Sequence, residues 1–303
     1  MPKENTHILF VKRIINALDC EELKTLMQTD YESVCFGSIM ADTFFYSSNK
    51  EVVNISEELH GKEGEETNEI IFDLLDHARL YMAGKLLCVT MGYISHCVFD
   101  MIFHPIIYAL TGNYYDKDTT RSDHAVYKHR LIETKLDMQI NGTYFMDKIL
   151  DVNDESVHSV FNIISLKYNV SKSELIETLK KQISCNRSFR NGFIYRLIYM
   201  LNKIKVLNYK KILPLFYGHL HRDGIEIGEL ILYRDMLTGQ EKEARLTELL
   251  KAAEDESIKR ISAAYAYYSI KMDKAEAMQI IRGESLDTGK EGCSVSELRT
   301  FHG

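Results

Sequence analysis

Residues Gly92–Pro105 read GYISHCVFDMIFHP. The segment places His96, Asp100 and His104 at four-residue intervals inside an otherwise apolar run. On an α-helix each such step turns the side chain by only about 40°. All three groups therefore project to one side, and their apolar neighbours predict a buried helix. A buried stripe of two imidazoles and a carboxylate needs partners, because an unpaired buried polar group costs roughly 2–7 kcal/mol. A bound metal cluster supplies them.

Outward from this stretch, Leu80–Phe103 reads as one long buried helix. Pro105 should kink or end it just after His104, by removing a backbone donor and crowding the preceding turn. Such a kink would aim His104 at a different ion from His96. The run from Leu86 to Leu110 is also the one candidate membrane span in the sequence. A mid-span charge is expensive, so the expectation is a core helix of a soluble protein.

The composition favours helix elsewhere too. Only 3 Pro and 16 Gly occur in 303 residues, long stretches are rich in Leu, Ile, Lys and Glu, and no alternating β-branched run suggests a sheet. The expected fold class is all-α, a multi-helix bundle. Residues 1–150 would form the metal-binding helical core. Residues 151–303 would complete the same domain or form an appended helical subdomain.

Expected helices are His7–Leu18, with Thr6 as N-cap, Asn68–Arg79, His124–Ile140, Ser156–Tyr168 and Phe189–Lys205, and Glu241–Tyr268 as a long amphipathic helix. Ser171 opens the capping-box pattern SKSE, with a helix to about Ser184. Cys35–Tyr46 reads as a compact loop in which Gly37 permits an unusual backbone angle. Ile55–Thr67 and Gly112–Ser122 read as polar loops. The tail after Arg282 is rich in Gly and Ser and is expected to fray. The stripe Phe189, Phe193, Leu197 and Leu201 reads as core, and Arg187, Arg190 and Arg196 as a solvated face.

The net charge of −7 argues against a general polyanion binder. It leaves room for a metal enzyme acting on phosphate, since bound cations add charge that the sequence count omits. Six scattered cysteines without a CxxC pair indicate neither a zinc ribbon nor a disulfide framework. Reduced thiols and an amino terminus without an apolar signal core lead to a cytoplasmic expectation, with export by another route left open.

The candidate metal ligands are His7, Asp42, His60, His96, Asp100, His104, His129 and Glu133. His129 and Glu133 again lie four apart, with His124 one turn earlier and Asp137 one turn later. A mixed imidazole and carboxylate set suits zinc. Eight ligands exceed the needs of one tetrahedral ion, so two or three ions follow, with Asp100 able to bridge. Taken singly, the features also have ordinary readings: HxxxE as an i,i+4 pair, Asp42 as a turn cap, His60 as a loop histidine. His77, His158, His219, His221 and His302 stay in that ordinary class.

The order of these pieces resembles the zinc-dependent phospholipase C family, whose helical fold is shared with zinc-dependent single-strand nucleases. The matching pieces are Thr6-His7, FGSIMADTFFY around Asp42, LHGKE around His60, GYISHCVFDMIFHP and HRLIE. They span about residues 6–140, with a weaker echo in YRDMLTG and the helix after it. The resemblance implies one zinc on Asp42, His60, His96 and Asp100, and a second on His104, His129 and Glu133. A third would lie on His7 and the bridging Asp100. In secreted relatives an amino-terminal Trp also grips that third zinc, and this chain has no Trp.

The implied activity is phosphoric ester hydrolysis by metal-activated water. Asp42 would orient or deprotonate the water, and His7 would stand on the leaving side. The implied partner is a phospholipid or another phosphodiester, with transient membrane-surface contact and no stable nucleic-acid complex. Choline-preferring relatives place aromatic residues beside the positions of Asp42 and His60. Here Thr43 follows Asp42, Glu57 lies three before His60, and Phe44, Phe45 and Tyr46 are the available substitutes. Two other readings stay open: a nuclease or nucleotidase, with Tyr114, Tyr115 and Tyr127 as stacking platforms, and a non-catalytic metal- or lipid-binding protein.

Overall fold

The computed structural model describes residues 3–141, 146–206, 210–217 and 227–299; His219, His221 and His302 lie outside them. The central element is α7 (Gly84–Thr111), buried along almost its whole length. Its most apolar 18-residue window is 89% buried inside the protein, as befits a core helix. Around it pack α1 (Glu4–Ala17), α3 (Tyr31–Gly37), α6 (Glu69–Leu80), α8 (Thr119–Asn141), α10 (Glu155–Tyr168) and α13 (Leu246–Tyr268). The architecture is all-α, with one two-stranded antiparallel hairpin, β1 (Leu230–Arg234) and β2 (Glu241–Arg245), among the described residues. The largest apolar cluster draws on residues either side of position 150, from Phe10 and Phe99 to Phe161, Ile261 and Leu286.

The tightest packing is the crossing of α3 on α7. A Cβ on Gly37 would sit 2.7 Å from the Val89 carbonyl carbon, and one on Gly92 would sit 2.8 Å from the Ser38 nitrogen. Both contacts are shorter than real Cβ atoms tolerate, so both positions require glycine. Gly37 is thus needed for backbone approach, and its backbone angle is ordinary. The expected loop Cys35–Tyr46 is helical instead: the end of α3, then α4 (Met40–Thr43) and a 3-10 turn at Phe44–Tyr46. Burial of Val34, Phe36, Met40 and Phe44 overrides its weak local signals.

Several other expectations are corrected. Pro105 neither ends nor visibly interrupts α7, which runs six residues further. Phe103, Ile106 and Ile107 on both sides of it are buried, and that packing outweighs the lost backbone bond. Thr6 lies inside α1, where its hydroxyl donates to Asp137 (2.7 Å). α5 (Lys50–Leu59), capped by the Asn49 side chain, takes the first part of the expected loop Ile55–Thr67. α8 begins within the expected loop Gly112–Ser122, with Asp118 accepting from the Thr120 nitrogen (2.9 Å). Ser171 makes no side-chain cap, and α11 (Lys172–Phe189) runs past Ser184. Asn191 then caps α12 (Gly192–Lys203).

Glu241–Arg245 is a strand, not the start of the long helix. Asp235 accepts from the backbone nitrogens of Leu237 and Thr238 (both 2.9 Å), and Gly239 has φ +75°. This closes a hairpin that recruits EKEAR as the partner of LILYR. The expected core stripe splits, with Phe189 buried at the end of α11 and Phe193 on α12 75% exposed. The tail does not fray through residue 299: Ser285–Thr288 is buried, and Gly289 and Gly292 serve turns at φ +71° and +63°.

The glycine crossing makes a testable demand. Gly92→Ala should lower stability by about 1–3 kcal/mol, whereas Gly84→Ala, whose Cβ meets only Leu26 Cδ1 at 3.6 Å, should change it by less than about 1 kcal/mol. Thermal unfolding followed by circular dichroism distinguishes them; equal melting temperatures would refute the steric account.

Candidate metal centre

The eight expected ligands come from five places in the chain. α7 carries His96, Asp100 and His104; α1 carries His7; α4 carries Asp42; His60 caps the end of α5; and α8 carries His129 and Glu133. Every one is at most 4% exposed. Ligand atoms of seven fall into two groups, Asp42 with His60, His96 and Asp100, and His104 with His129 and Glu133, each within 4.8 Å; His7 lies outside both and pairs with Asp100. His96 and His104 face different groups, and helical geometry alone separates them. Eight helical residues advance about 12 Å and drift about 80°.

Asp100 joins the groups. Its Oδ1 lies 3.4 Å from His7 Nε2. Its Oδ2 lies 3.3 Å from His96 Nε2, 3.6 Å from His60 Nε2 and 3.5 Å from His104 Nε2. Asp42 Oδ1 is 3.2 Å from His60 Nε2 and 3.9 Å from His96 Nε2. In the second group, Glu133 Oε1 is 2.9 Å from His129 Nε2 and 4.0 Å from His104 Nε2.

The four Asp100 spacings fit a zinc ion, whereas Glu133 and His129 stand at direct hydrogen-bond distance. Two ligand atoms bound at about 2.0–2.2 Å in tetrahedral geometry stand about 3.3–3.6 Å apart, wider than a direct charged hydrogen bond of about 2.8 Å. Asp42 Oδ1, both Asp100 oxygens and Nε2 of His60, His96 and His104 have no hydrogen-bond partner among the described residues. Leaving buried polar atoms so costs about 1–3 kcal/mol each. Cations between them remove that cost.

Neighbouring carbonyls set the imidazole orientations. His96 Nδ1 donates to the Ser38 carbonyl (2.9 Å) and His60 Nδ1 to the Ser56 carbonyl (2.7 Å). A carbonyl only accepts, so Nδ1 carries the proton and Nε2 presents a lone pair to the centre. The Ser38 contact depends on the glycine crossing, which brings the end of α3 onto α7.

Burial pushes His96, His104 and His129 well below the usual imidazole range, into the neutral ligand form. Burial also pulls His60 down, but contacts with Asp100 and Asp42 outweigh it and lift the ring to about 10. Burial raises Asp100. Without cations, then, His60 holds a proton at neutral pH that a metal must displace.

Other residues that the sequence reading weighed play different parts. Asp137, one turn past Glu133, accepts from Thr6 Oγ1 and from Tyr217 OH (2.6 Å), bracing the start of α1 beside His7. His124 and His77 are exposed. Of the aromatic substitutes, Phe44 is in the core, Tyr46 donates to Glu4 (2.6 Å), and Phe45 borders His60 with ring centroids 5.4 Å apart. Glu57 pairs with Lys62 at 2.8 Å.

The sequence reading missed Asp287. Its Oδ1 lies 3.3 Å from His104 Nδ1 and accepts from Tyr108 OH (3.1 Å). The same segment holds His60: the Leu286 nitrogen donates to the His60 carbonyl (2.8 Å). Gly289 seats the segment on α7, since a Cβ there would lie 2.8 Å from the Met101 oxygen, the carbonyl that Pro105 leaves without its helical donor. Nothing in the local sequence marks it, since Leu286 is the one apolar residue of the SLDT run.

With this geometry in place, the comparison with known proteins is direct. The model of the zinc-dependent phospholipase C family matches residues 6–184. The chain belongs to that family. All eight candidate ligands fall within the matched stretch, while Asp287 and the YRDMLTG turn lie beyond it. No curated protein and no solved structure matches the chain.

Two outcomes follow. Adding zinc to metal-free protein at pH 7 should release protons, because His60 must lose its own. Its raised value favours the metal-free fold at low pH and ceases to do so as pH climbs through about 10, so zinc affinity should rise with pH. Calorimetry in buffers of differing ionisation enthalpy measures this, and zinc uptake without proton release would contradict it. Asp287→Ala should weaken zinc at the His104 group by about 10–100-fold, read by competition with a chelating dye; unchanged affinity would remove Asp287 from the centre.

Proposed function

We propose that this chain is a zinc-dependent phosphoric ester hydrolase, a phospholipase C-like phosphodiesterase with Asp42 as a catalytic residue. The observation that carries the reading is Asp100, a buried carboxylate shared between two groups of metal-ligand side chains. Asp42, His60, His96 and Asp100 would hold one ion, His104, His129 and Glu133 a second, and His7 with Asp100 a third. When bound, zinc supplies Lewis-acid charge for the phosphate oxygens and lowers the pKa of water towards about 7.

The remaining work falls to the chain. Asp42 sits among the ligands with Oδ1 beside two imidazoles, positioned to orient a water and accept its proton. His60 and His96 stay in register because their Nδ1 atoms are tied to carbonyls. His7 meets the other oxygen of Asp100, Oδ1, and would stand near the leaving oxygen. The burial of all eight groups strengthens their electrostatic action by excluding water.

A phospholipid is the substrate class the family name supports. The nuclease reading rests on Tyr114, whose ring lies 5.5 Å from His129, and on neighbouring Tyr115; the net charge of −7 weighs against it. A cytoplasmic location belongs to the proposal, supported by six free cysteines.

The test combines metal content with turnover. Protein purified without chelators should carry two or three zinc ions. It should hydrolyse phospholipid in preference to single-stranded DNA, and lose activity after chelation. Asp42→Asn should cut turnover by about 10²–10⁴-fold. Zinc retained with no phosphoric ester cleaved would replace the hydrolase by a metal-binding protein.

A further inference from the structure

The chain is acidic overall, yet from Thr178 through Arg222 it contains ten Lys and Arg and no Asp or Glu. α12 lies inside this basic stretch and has no buried residue. Its inner side, with Ile194, Tyr195 and Ile198, rests on Phe189, Phe216 and Tyr217. The outer side is not the polar face that a surface helix normally presents. Phe193 is 75% exposed, Leu197 47%, Met200 63% and Ile204 65%.

These four residues stand at i, i+4, i+7 and i+11, one row about 16 Å long on a helical geometry. Arg196 and Lys203, both exposed, lie together along one edge of the row. Lys205 and Val206, also exposed, extend it past the end of the helix.

We propose that the outer face of α12 docks the protein on an anionic phospholipid surface. An apolar row flanked by cations is the pattern of a helix lying in the membrane interface, where apolar side chains enter the acyl boundary and cations meet anionic head groups. Charge selects this occupant over a second copy of the chain, because a two-fold interface through α12 would set one basic edge against the other. Single exposed apolar residues are ordinary on a protein surface, but a contiguous row is not.

The docking face is built on the elements that hold the metal centre. Tyr46, four residues from Asp42, belongs to the cluster beneath α12. Tyr217 in that cluster donates to Asp137 on α8. Arg130, next to His129, donates to the Lys211 carbonyl (2.8 Å) in the segment after α12. A membrane held at α12 would therefore bring lipid to the side of the protein from which α8 supplies His129 and Glu133. This deepens the phospholipase reading and rests on it for its purpose, though the docking itself needs no metal.

The full chain is tested by co-sedimentation with vesicles of phosphatidylcholine alone and of equal parts phosphatidylcholine and phosphatidylglycerol. The expected result is binding to the anionic vesicles that weakens as salt rises. The double variants Phe193→Ser/Met200→Ser and Arg196→Glu/Lys203→Glu should each bind at least about tenfold more weakly. Both should keep the parent circular dichroism spectrum and the parent activity on a soluble phosphodiester. Wild-type protein that ignores anionic vesicles at low salt overturns the proposal. So do variants that bind as well as the parent, or a dimer that the variants dissociate without any vesicle binding. Vesicle binding by a protein that cleaves no phosphoric ester leaves the docking face standing and removes the hydrolase; cleavage of a soluble ester without vesicle binding does the reverse.

Discussion

Asp100 is a carboxylate buried in the middle of the most apolar helix of the protein, and the structure is arranged around satisfying it. Four imidazoles from three regions of the chain approach its two oxygens at 3.3–3.6 Å. α1, the end of α5 and α7 therefore converge on one group. Neutral imidazoles alone are a poor environment for that charge, and protonated ones would repel each other. Burial drives two of these rings, His96 and His104, neutral, which is the form that ligates metal. The fold thus prepares an electron-rich cluster whose components are costly apart and compatible around cations.

Helix packing and site geometry are one problem here. Gly37 and Gly92 let α3 and α7 approach until backbone touches backbone. That approach puts the Ser38 carbonyl on His96 Nδ1 and so turns Nε2 inward. A larger residue at either glycine would displace a hydrogen bond that orients a ligand, although neither glycine is itself part of the centre. Precision at a metal site is commonly set in this outer layer.

The family match ends at residue 184, yet the centre is closed by Leu286 and Asp287, far beyond it. Leu286 bonds the His60 backbone, and Asp287 meets His104 and Tyr108. Arg260 on α13 holds the adjoining Glu284 at 2.9 Å. The first part of the chain supplies ligands, while the last part fixes how two of them are presented. Between these lies the basic stretch with its exposed helix, whose composition departs from the rest of the chain in sign of charge.

The fold class and the ligand set were legible because both are periodic. HxxxDxxxH and HxxxE put chemistry on one helical face, and four-residue spacing carries that information without tertiary context. Boundaries and breaks were less legible. Pro105 looked like a terminus, Glu241–Arg245 looked helical, and Cys35–Tyr46 looked like a loop. In each case long-range contact decided: flanking core residues carried α7 past the proline, a hairpin turn captured EKEAR, and burial made helices of the short segment around Asp42. The exposure of Phe193 and the burial of Asp287 were beyond reach for the same reason, since sequence periodicity says which residues share a face and not what that face meets. The sequence by itself determined an all-helical chain bearing eight candidate ligands; only the tertiary structure decided how they divide into groups, which carbonyls aim them and which apolar row stays in solvent, because those depend on contacts between residues far apart in the chain.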